Sequence, residues 1–326
     1  MQDNYNREIK YLRISITERC NLRCRYCMPM DGVCKKEHDE MLTYEEILKV
    51  SKVAAKLGVK KIRLTGGEPL VKKDIIKLAS DIKKIDGIEE LCITTNGILL
   101  NEYAKDLKAA GVDRINISLD TLNPEKYKYI TRIGEFKDAW VGIEKAINTG
   151  FKKIKINSVL IGGFNDDEVV DISSLTMKYP VDVRFIELMP MYDSGDFKEN
   201  AFIKASVVID KLKEKYGDDK VSEVKDIKHT GQVARLYKID GAFGFVGLIS
   251  AVSNHFCKEC NRIRLTSDGK LKPCLHSNEE ISIKGLSEDE IEEKFKMAII
   301  HKPKQHDELS YTSRSHADRN MNQIGG

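Results

Sequence analysis

Short runs of strand-forming residues alternate with helical stretches through residues 11–188, and this alternation restricts the fold more than any other property of the chain. The strand-like runs are 11–17, 61–65, 91–95, 114–119, 153–161 and 181–188. The first helical stretch, 43–57, opens on a capping box of Thr43 and Glu46. Leu42 and Ile47 are placed as its hydrophobic staple, and Gly58 suits the left-handed position after its end. Apolar spacing predicts further helices over 75–82, from a cap at Asn101 to Gly111, with breaks up to Ile147, and over 169–177. Strands alternating with helices imply parallel βαβ units with right-handed crossovers. Six such units predict an α/β fold built as an open, partial (β/α)6 TIM-like barrel. Periodicity alone does not separate that from a flat doubly wound sheet.

The rhythm breaks after Met189. Residues 190–240 hold a turn rich in Gly and Asp at 192–196, a helix over 206–216 and mixed strand material. The expected division is a barrel over 1–189 and an α+β extension over 190–326.

Composition narrows the function. Lys plus Arg number 54 against 51 acids, so a net charge of +3 leaves no nucleic-acid footprint, and any anion site must be local. Residues 1–10 are polar and carry no apolar signal core, and the longest apolar run, 241–252, is too short to span a bilayer. A cytoplasmic protein is expected, whose thiols stay reduced and are read first as metal ligands. Of the 8 cysteines, six fall into two trios, while Cys34 and Cys92 stand alone.

Cys20, Cys24 and Cys27 are spaced C-x3-C-x2-C directly after the first strand; Cys257, Cys260 and Cys274 are spaced C-x2-C-x13-C. Structural zinc takes four ligands, and no fourth Cys or His sits at a usual offset in the first trio. His276, two residues beyond Cys274, keeps a zinc reading open for the second. A four-iron cluster held by three thiolates leaves one iron open to a substrate, and this is the sharper reading of both trios.

In a parallel barrel, functional residues gather at the C-terminal ends of the strands. The polar residues there are the first cysteine loop, Thr65-Gly66-Gly67-Glu68-Pro69, Thr94-Thr95-Asn96-Gly97, Ser118-Leu119-Asp120, and then Glu187 and Met189. Side-chain-free Gly67 lets a ligand reach backbone, and Glu68 can accept from an ammonium group. Arg262 and Arg264 alternate on an extended stretch and so share a face, which favours a common anion site.

The first trio with Tyr26 before its last cysteine, the Thr-Gly-Gly-Glu-Pro stretch, the second trio with Asn-Arg-Ile-Arg, and the Gly325-Gly326 end together resemble the GTP 3′,8-cyclase family of the radical S-adenosylmethionine (SAM) superfamily. The resemblance covers essentially the whole chain. It implies a lyase of molybdenum cofactor biosynthesis with two [4Fe–4S] clusters, SAM as cofactor and GTP as substrate. In that chemistry SAM is cleaved to a 5′-deoxyadenosyl radical, which takes hydrogen from C3′ of GTP. The carbon radical closes onto C8 to give (8S)-3′,8-cyclo-7,8-dihydroguanosine 5′-triphosphate.

By the same resemblance, Tyr26, Gly67, Glu68, Ser118 and Met189 contact SAM, with Asn157 and Arg184 as additional candidates. Arg13, Arg63, Thr94, Lys155, Arg262, Ile263 and Arg264 contact GTP, and Arg13, Arg262 and Arg264 are the catalytic positions. The second cluster takes the guanine end, and the glycine tail enters the active site as a positioning element. Implied partners are a low-potential electron donor and a downstream cyclic pyranopterin monophosphate synthase. A homodimer is allowed, while nucleic acid and membrane are not expected. A radical SAM peptide-modifying enzyme with an auxiliary cluster, and a non-enzymatic electron carrier, are the alternatives. Turnover of GTP without peptide separates the first from the cyclase, and SAM cleavage under reducing conditions excludes the second.

Overall fold

The computed structural model describes residues 1–33, 36–191, 197, 201–224, 233–309 and 315–325. It contains the six expected strands as β1 (Tyr11–Ser15), β2 (Lys61–Thr65), β3 (Glu90–Thr95), β4 (Arg114–Ser118), β5 (Lys153–Leu160) and β6 (Val181–Glu187). They pair in sequence order, and every pair is parallel. That order decides between the two topologies. A doubly wound sheet reverses its strand order midway and carries helices on both faces, whereas an unbroken order sends each crossover to one side and curls the sheet. Here β1 and β6 do not pair, so the curl is a partial barrel open on one side.

The helices are α1 (Tyr44–Lys56), α2 (Ile75–Lys83), α3 (Leu100–Ala109), α4 (Pro124–Thr131), α5 (Phe136–Thr149) and α6 (Val169–Lys178). Period-two alternation explains why they sit outside. Leu12, Ile14, Ile62, Leu64, Ile115 and Ile117 are fully buried in one core with helical residues such as Val50, Val53, Leu78 and Leu107. The α1 capping box forms as expected: Thr43 Oγ1 accepts the Glu46 N–H at 3.2 Å, and Glu46 Oε2 accepts the Thr43 N–H at 2.9 Å. Gly58 follows the helix with φ +94°. Asn101 does not cap α3. The chain turns into that helix through the Leu100 N–H to Gly97 carbonyl bond, with Leu99 at the N-cap, and Asn101 is left exposed in the first turn.

The C-terminal residues form α7 (Ser206–Tyr216), β7 (Val221–Glu223), β8 (Arg235–Ile239), β9 (Val246–Ile249), β10 (Arg262–Leu265), β11 (Lys270–Lys272), β12 (Ile281–Ser282), α8 (Glu288–Ile300) and α9 (Met321–Ile324). They extend the same sheet at both edges. β9 lies parallel to β6 and starts the antiparallel meander β9-β8-β7, while β10 lies parallel to β1 and starts β10-β11-β12. The result is one 12-stranded sheet. Residues 250–261, between β9 and β10, therefore run across the open side and bring Cys257 and Cys260 with them. The turn at 192–196 lies outside the described residues.

Glu187 anchors this crossing. Fully buried at the end of β6, its carboxylate accepts the N–H groups of Val252, Ser253 and Ala205 at 2.9, 2.8 and 3.0 Å, as well as the Ser253 hydroxyl. Glu187→Ala strands three backbone donors, and a lost partner costs about 1–3 kcal/mol per buried group. A loss of about 3–5 kcal/mol is expected in denaturant unfolding of the apoprotein. Glu187→Gln, which keeps one acceptor oxygen, should lose less; equal losses would show that the carboxylate does not hold the crossing.

Candidate active site

The inner face of the sheet is polar. In a fully buried parallel sheet both faces are apolar, but here the inward face carries Arg13, Arg63, Thr94, Asn116, Ser118, Lys155, Asn157 and Arg184. Register sets Arg13 beside both Arg63 and Arg264, Asn116 beside Lys155, and Asn157 beside Arg184. All of them line one cavity of 630 Å³.

The cations divide into two groups. Towards the N-terminal ends of the strands, Glu90 pairs with both Lys61 and Arg114, and Asp182 with Lys153. Deeper in, Arg63, Lys155, Arg184 and Arg264 have no ion pair with any described carboxylate. Burial, with Arg184 close by, pushes the Lys155 ammonium down to about 6. Burial lowers Arg184 to about 10, and burial with Arg262 beside it does the same to Arg264. Arg63 Nε, Arg184 Nε, Asn116 Oδ1 and Asn157 Oδ1 are buried without a hydrogen-bond partner. Such groups are rare unless a ligand completes them. The arrangement fits a polyanion with hydrogen-bonding polar parts.

The first cysteine loop hangs over one end of this cavity. Its shape depends on Gly66 and Gly67. Gly67 N–H donates to the Thr17 carbonyl at 2.8 Å and Glu68 N–H to that of Arg19 at 2.8 Å, so the two stretches run in contact. A Cβ on Gly66 would lie 2.3 Å from the Thr17 oxygen, and one on Gly67 2.4 Å from the Arg19 oxygen. Glu68 is 1% exposed and accepts from the Leu70 N–H, the Thr95 hydroxyl and the Asn96 N–H, at 3.0, 2.8 and 2.7 Å. It clamps the loops after β2 and β3 together, and burial raises it to about 7 against those three donors. Asn96 in turn donates to Asn21 Oδ1 at 2.7 Å, within the cysteine loop. Tyr26 donates to Asp120 at 2.7 Å, and Asp120 also accepts the Val159 N–H at 2.8 Å, which fixes the tyrosine to the ends of β4 and β5.

Both cysteine trios face the cavity. Burial pushes Cys20 up to about 11 and Cys27 to about 12, so thiolates here need a bound cation for charge balance. The second trio is electropositive. Burial acts to raise Cys260, but Lys302 and Arg262 bring it down to about 6. Lys302 is 3% exposed and is held by the carbonyls of Arg262 and Pro273 at 2.9 and 2.8 Å. Soft sulfur donors in threes, with positive charge and backbone N–H groups beside them, fit iron–sulfur clusters. Among the described residues no group of three His, Cys, Asp or Glu side chains is arranged to hold a single metal ion. His276 instead bonds Ser315 through Nδ1 at 3.0 Å and packs its ring on His306.

Of the residues expected from sequence, Arg13, Tyr26, Arg63, Gly67, Thr94, Ser118, Lys155, Met189, Arg262, Arg264 and the six trio cysteines line the cavity, as do Asn157 and Arg184. Glu68 stands behind the wall. The Ile263 side chain, 1% exposed, faces the core on the other side of β10. Gly325 reaches the site: its carbonyl accepts from Arg264 Nη1, and a Cβ there would lie 2.5 Å from Thr65 Cγ2. Gly326 and Cys34 lie outside the described residues; Cys92 is buried on β3 beside Glu90. Tyr11, Asn116, Lys302 and His306 were not anticipated. Tyr11 and Asn116 share the alternation of Arg13 and Ser118, which marks them as inward; Lys302 and His306 carry no local signal.

Fold and site define a radical SAM-type partial barrel with a second cysteine trio. The Radical SAM superfamily matches residues 14–175, and Molybdenum Cofactor Synthesis C matches residues 181–308. SuiB of Streptococcus suis, in its crystal structure bound to S-adenosylmethionine, superposes with a TM-score of 0.63 at 14% identity. That match covers 84% of this chain but only 63% of SuiB, and the likeness is one of fold. Identity with the GTP 3′,8-cyclase of Alkaliphilus oremlandii (strain OhILAs) is 48%, over 100% of both chains. With that of Peptoclostridium acidaminophilum it is 47%, over 99% of this chain and 98% of the relative. The chain belongs to the GTP 3′,8-cyclase family. The peptide-modifying alternative is not favoured.

The two glycines yield a direct test. Gly66→Ala or Gly67→Ala forces backbone apart where neither neighbour is a flexible side-chain end, at a cost of about 1–3 kcal/mol or more. Circular dichroism should stay near that of the parent while iron at the first trio is lost. Retention of the parent's full iron content would overturn the role given to this contact.

Proposed function

We propose that this protein is a radical SAM lyase that converts GTP to (8S)-3′,8-cyclo-7,8-dihydroguanosine 5′-triphosphate, the first step of molybdenum cofactor biosynthesis. One observation carries the reading: a single cavity joins two cysteine trios to buried Arg63, Lys155, Arg184 and Arg264, which have no ion pair with a carboxylate among the described residues. Cys20, Cys24 and Cys27 hold one [4Fe–4S] cluster, and Cys257, Cys260 and Cys274 hold the other. With SAM bound, the first cluster supplies the one-electron chemistry that begins hydrogen abstraction.

The chain's own contribution is placement. Tyr26, Gly67, Ser118 and Met189 contact SAM, and Glu68 acts on it by holding the loop that carries Gly67. Arg13, Arg63, Thr94, Lys155, Arg262 and Arg264 hold GTP, and Arg184, a SAM candidate from sequence, is assigned to GTP as well because its charge lies beside Lys155. Ile263 serves through the backbone between the two arginines. Arg13, Arg262 and Arg264 are the catalytic positions, and Gly325 orders Arg264. Residues 1–189 carry the SAM half of the site, and 190–326 the second cluster and the tail. Fixing the substrate this tightly directs abstraction to one C–H bond, which is where oriented binding contributes most. The working context is the cytoplasm, with a low-potential electron donor upstream and cyclic pyranopterin monophosphate synthase consuming the product. The described residues include no helix long and apolar enough to cross a membrane. A homodimer is compatible with this arrangement.

Anaerobic reconstitution should give about eight irons per chain. Replacing Cys20, Cys24 and Cys27 together should remove about half of them and all SAM cleavage. Replacing Cys257, Cys260 and Cys274 together should spare SAM cleavage and abolish GTP cyclisation. Stoichiometric zinc in the second trio, with full activity, would rule out the assignment.

Lys155 predicts a proton linkage. Its ammonium is pushed down to about 6 in the free site, so most of it is neutral at pH 7.5. A triphosphate beside it raises that value and draws in a proton. GTP affinity should therefore strengthen as pH falls towards 6 and level off below. Calorimetry at pH 7.5 in buffers of different ionisation enthalpy should report proton uptake on binding. Lys155→Met should abolish the uptake; an undiminished uptake in that variant would assign it elsewhere.

A further inference from the structure

Asp3 and Arg7 do not line the cavity, yet they hold the backbone that carries its second cysteine trio. Arg7 is 7% exposed, and main-chain oxygens surround its guanidinium. Nη1 donates to the carbonyls of Cys257 and Lys304 at 2.8 and 3.1 Å, and Nη2 to those of Pro303 and Lys302 at 2.7 and 3.4 Å. Nε bonds Asp3 Oδ2 at 2.5 Å, and the Asp3 side chain is fully buried. The turn at Cys257 and the loop at 302–304 are thereby fixed side by side. Because Asp3 balances its charge, Arg7 brings order to this place and little net charge.

The charge comes from Lys302. Its ammonium is buried against the carbonyls of Arg262 and Pro273 and has no ion pair with a carboxylate among the described residues. A buried cation in that position is costly unless an anion completes it. The groups it faces are the thiols. Burial raises Cys257 and Cys274, opposed by the neighbouring N–H groups of His306 and His276 and by the charge of Lys302. At Cys260 burial is again opposed, first by Lys302 and then by Arg262. One ammonium thus acts on all three sulfurs. Arg262 is assigned to GTP, whereas Lys302 is pinned by protein carbonyls and its charge stays in place with or without substrate.

We propose that Lys302, set in place by the Asp3–Arg7 pair, is the fixed counter-charge of the cluster held by Cys257, Cys260 and Cys274 and raises its reduction potential. The proposal rests on the two-cluster reading above and deepens it. A four-iron core on three thiolates carries a net negative charge that grows on reduction, and net charge and hydrogen bonds to sulfur set such potentials. A cation held beside all three sulfurs favours the reduced form. Arg7 is the positioning residue: it keeps the loop that carries Lys302 and His306 against the turn that carries Cys257.

The test is a redox titration followed by electron paramagnetic resonance, without GTP, on the reconstituted full-length chain. Cys20→Ala/Cys24→Ala/Cys27→Ala serves as the parent, so that the second cluster alone gives the signal. Lys302→Met should lower the reduced-to-oxidised ratio at a set potential about tenfold, a shift of about 59 mV to more negative values. Lys302→Arg, which keeps the charge, should stay close to the parent. Asp3→Asn/Arg7→Met, which removes both charges of the pair at once, should move the potential in the same direction as Lys302→Met. Combined with Lys302→Met it should move it no further, because the charge it positions is gone. Loss of the second cluster from Lys302→Met or from the pair variant, but not from Lys302→Arg, would also support the assignment. An unmoved potential in Lys302→Met or in the pair variant would overturn it, as would an equal shift or an equal loss of iron in Lys302→Arg. A parent that takes up no iron at the second trio, or stoichiometric zinc there, would instead bring down the two-cluster reading itself.

Discussion

Like charges facing one another inside a curved sheet govern this structure. Arg13, Arg63, Lys155, Arg184 and Arg264 all project into the space that an ordinary parallel barrel fills with branched apolar side chains. Burial, then repulsion led by Arg264, holds Arg13 well below its usual range, and burial with Arg184 close by brings Lys155 close to neutrality. An interior of this kind cannot collapse onto itself. It keeps a cavity open, and a polyanion restores charge balance. The apolar outer face, with six helices packed over it, supplies the burial that offsets the repulsion inside.

The open side of the barrel follows from the same constraint. Strands β9 and β10, which flank the six parallel strands, extend the curl without closing it, and the segment between them brings a second set of thiols to the same cavity as the first. The chain thus sets two soft-donor sites at one cavity by letting its C-terminal part straddle the gap. Arg319 fastens the tail to this assembly. It donates to Glu280 at 2.7 Å and to Asp268 at 3.0 Å, and Lys36 ties Asp268 to Glu18 through bonds of 2.7 and 2.9 Å. Asn322 Nδ2 then reaches the Glu18 carbonyl at 3.1 Å, and Gly325 meets Arg264.

Much of this was legible in the sequence because it is local. A strand alternates, so Arg262 and Arg264 could be assigned to one face before any contact was known, while Arg13, Arg63 and Lys155 were marked by the family resemblance. Cysteine spacing marked both trios, and the α1 capping box was readable from Thr43 and Glu46. What stayed hidden depends on long-range pairing. That β9 joins β6 and β10 joins β1 is set by which edges remain free after the crossovers, and no residue in those strands records it. Lys302 enters the second site from a loop beyond α8 and resembles any surface lysine in sequence. Glu68 looked like a ligand acceptor because carboxylates often are, but three protein donors converge on it only when β2 and β3 lie side by side. Asn101 looked like a cap, yet the Gly97 turn carries the chain into α3 before reaching it.

The division between paired and unpaired cations sets the depth at which an anion can sit. At the lower end of the barrel, Glu90 pairs with Lys61 and Arg114, and burial, which opposes ionisation, is outweighed chiefly by those two cations so that its carboxyl falls to about 2. A phosphate pushed that far would meet a carboxylate that stays charged at every working pH. One layer higher, Arg63, Lys155, Arg184 and Arg264 have no acidic partner among the described residues, and the amide oxygens of Asn116 and Asn157 lie beside Lys155 and Arg184 in register. The acid–base ion pairs of the floor do not enlarge the anion site; they end it.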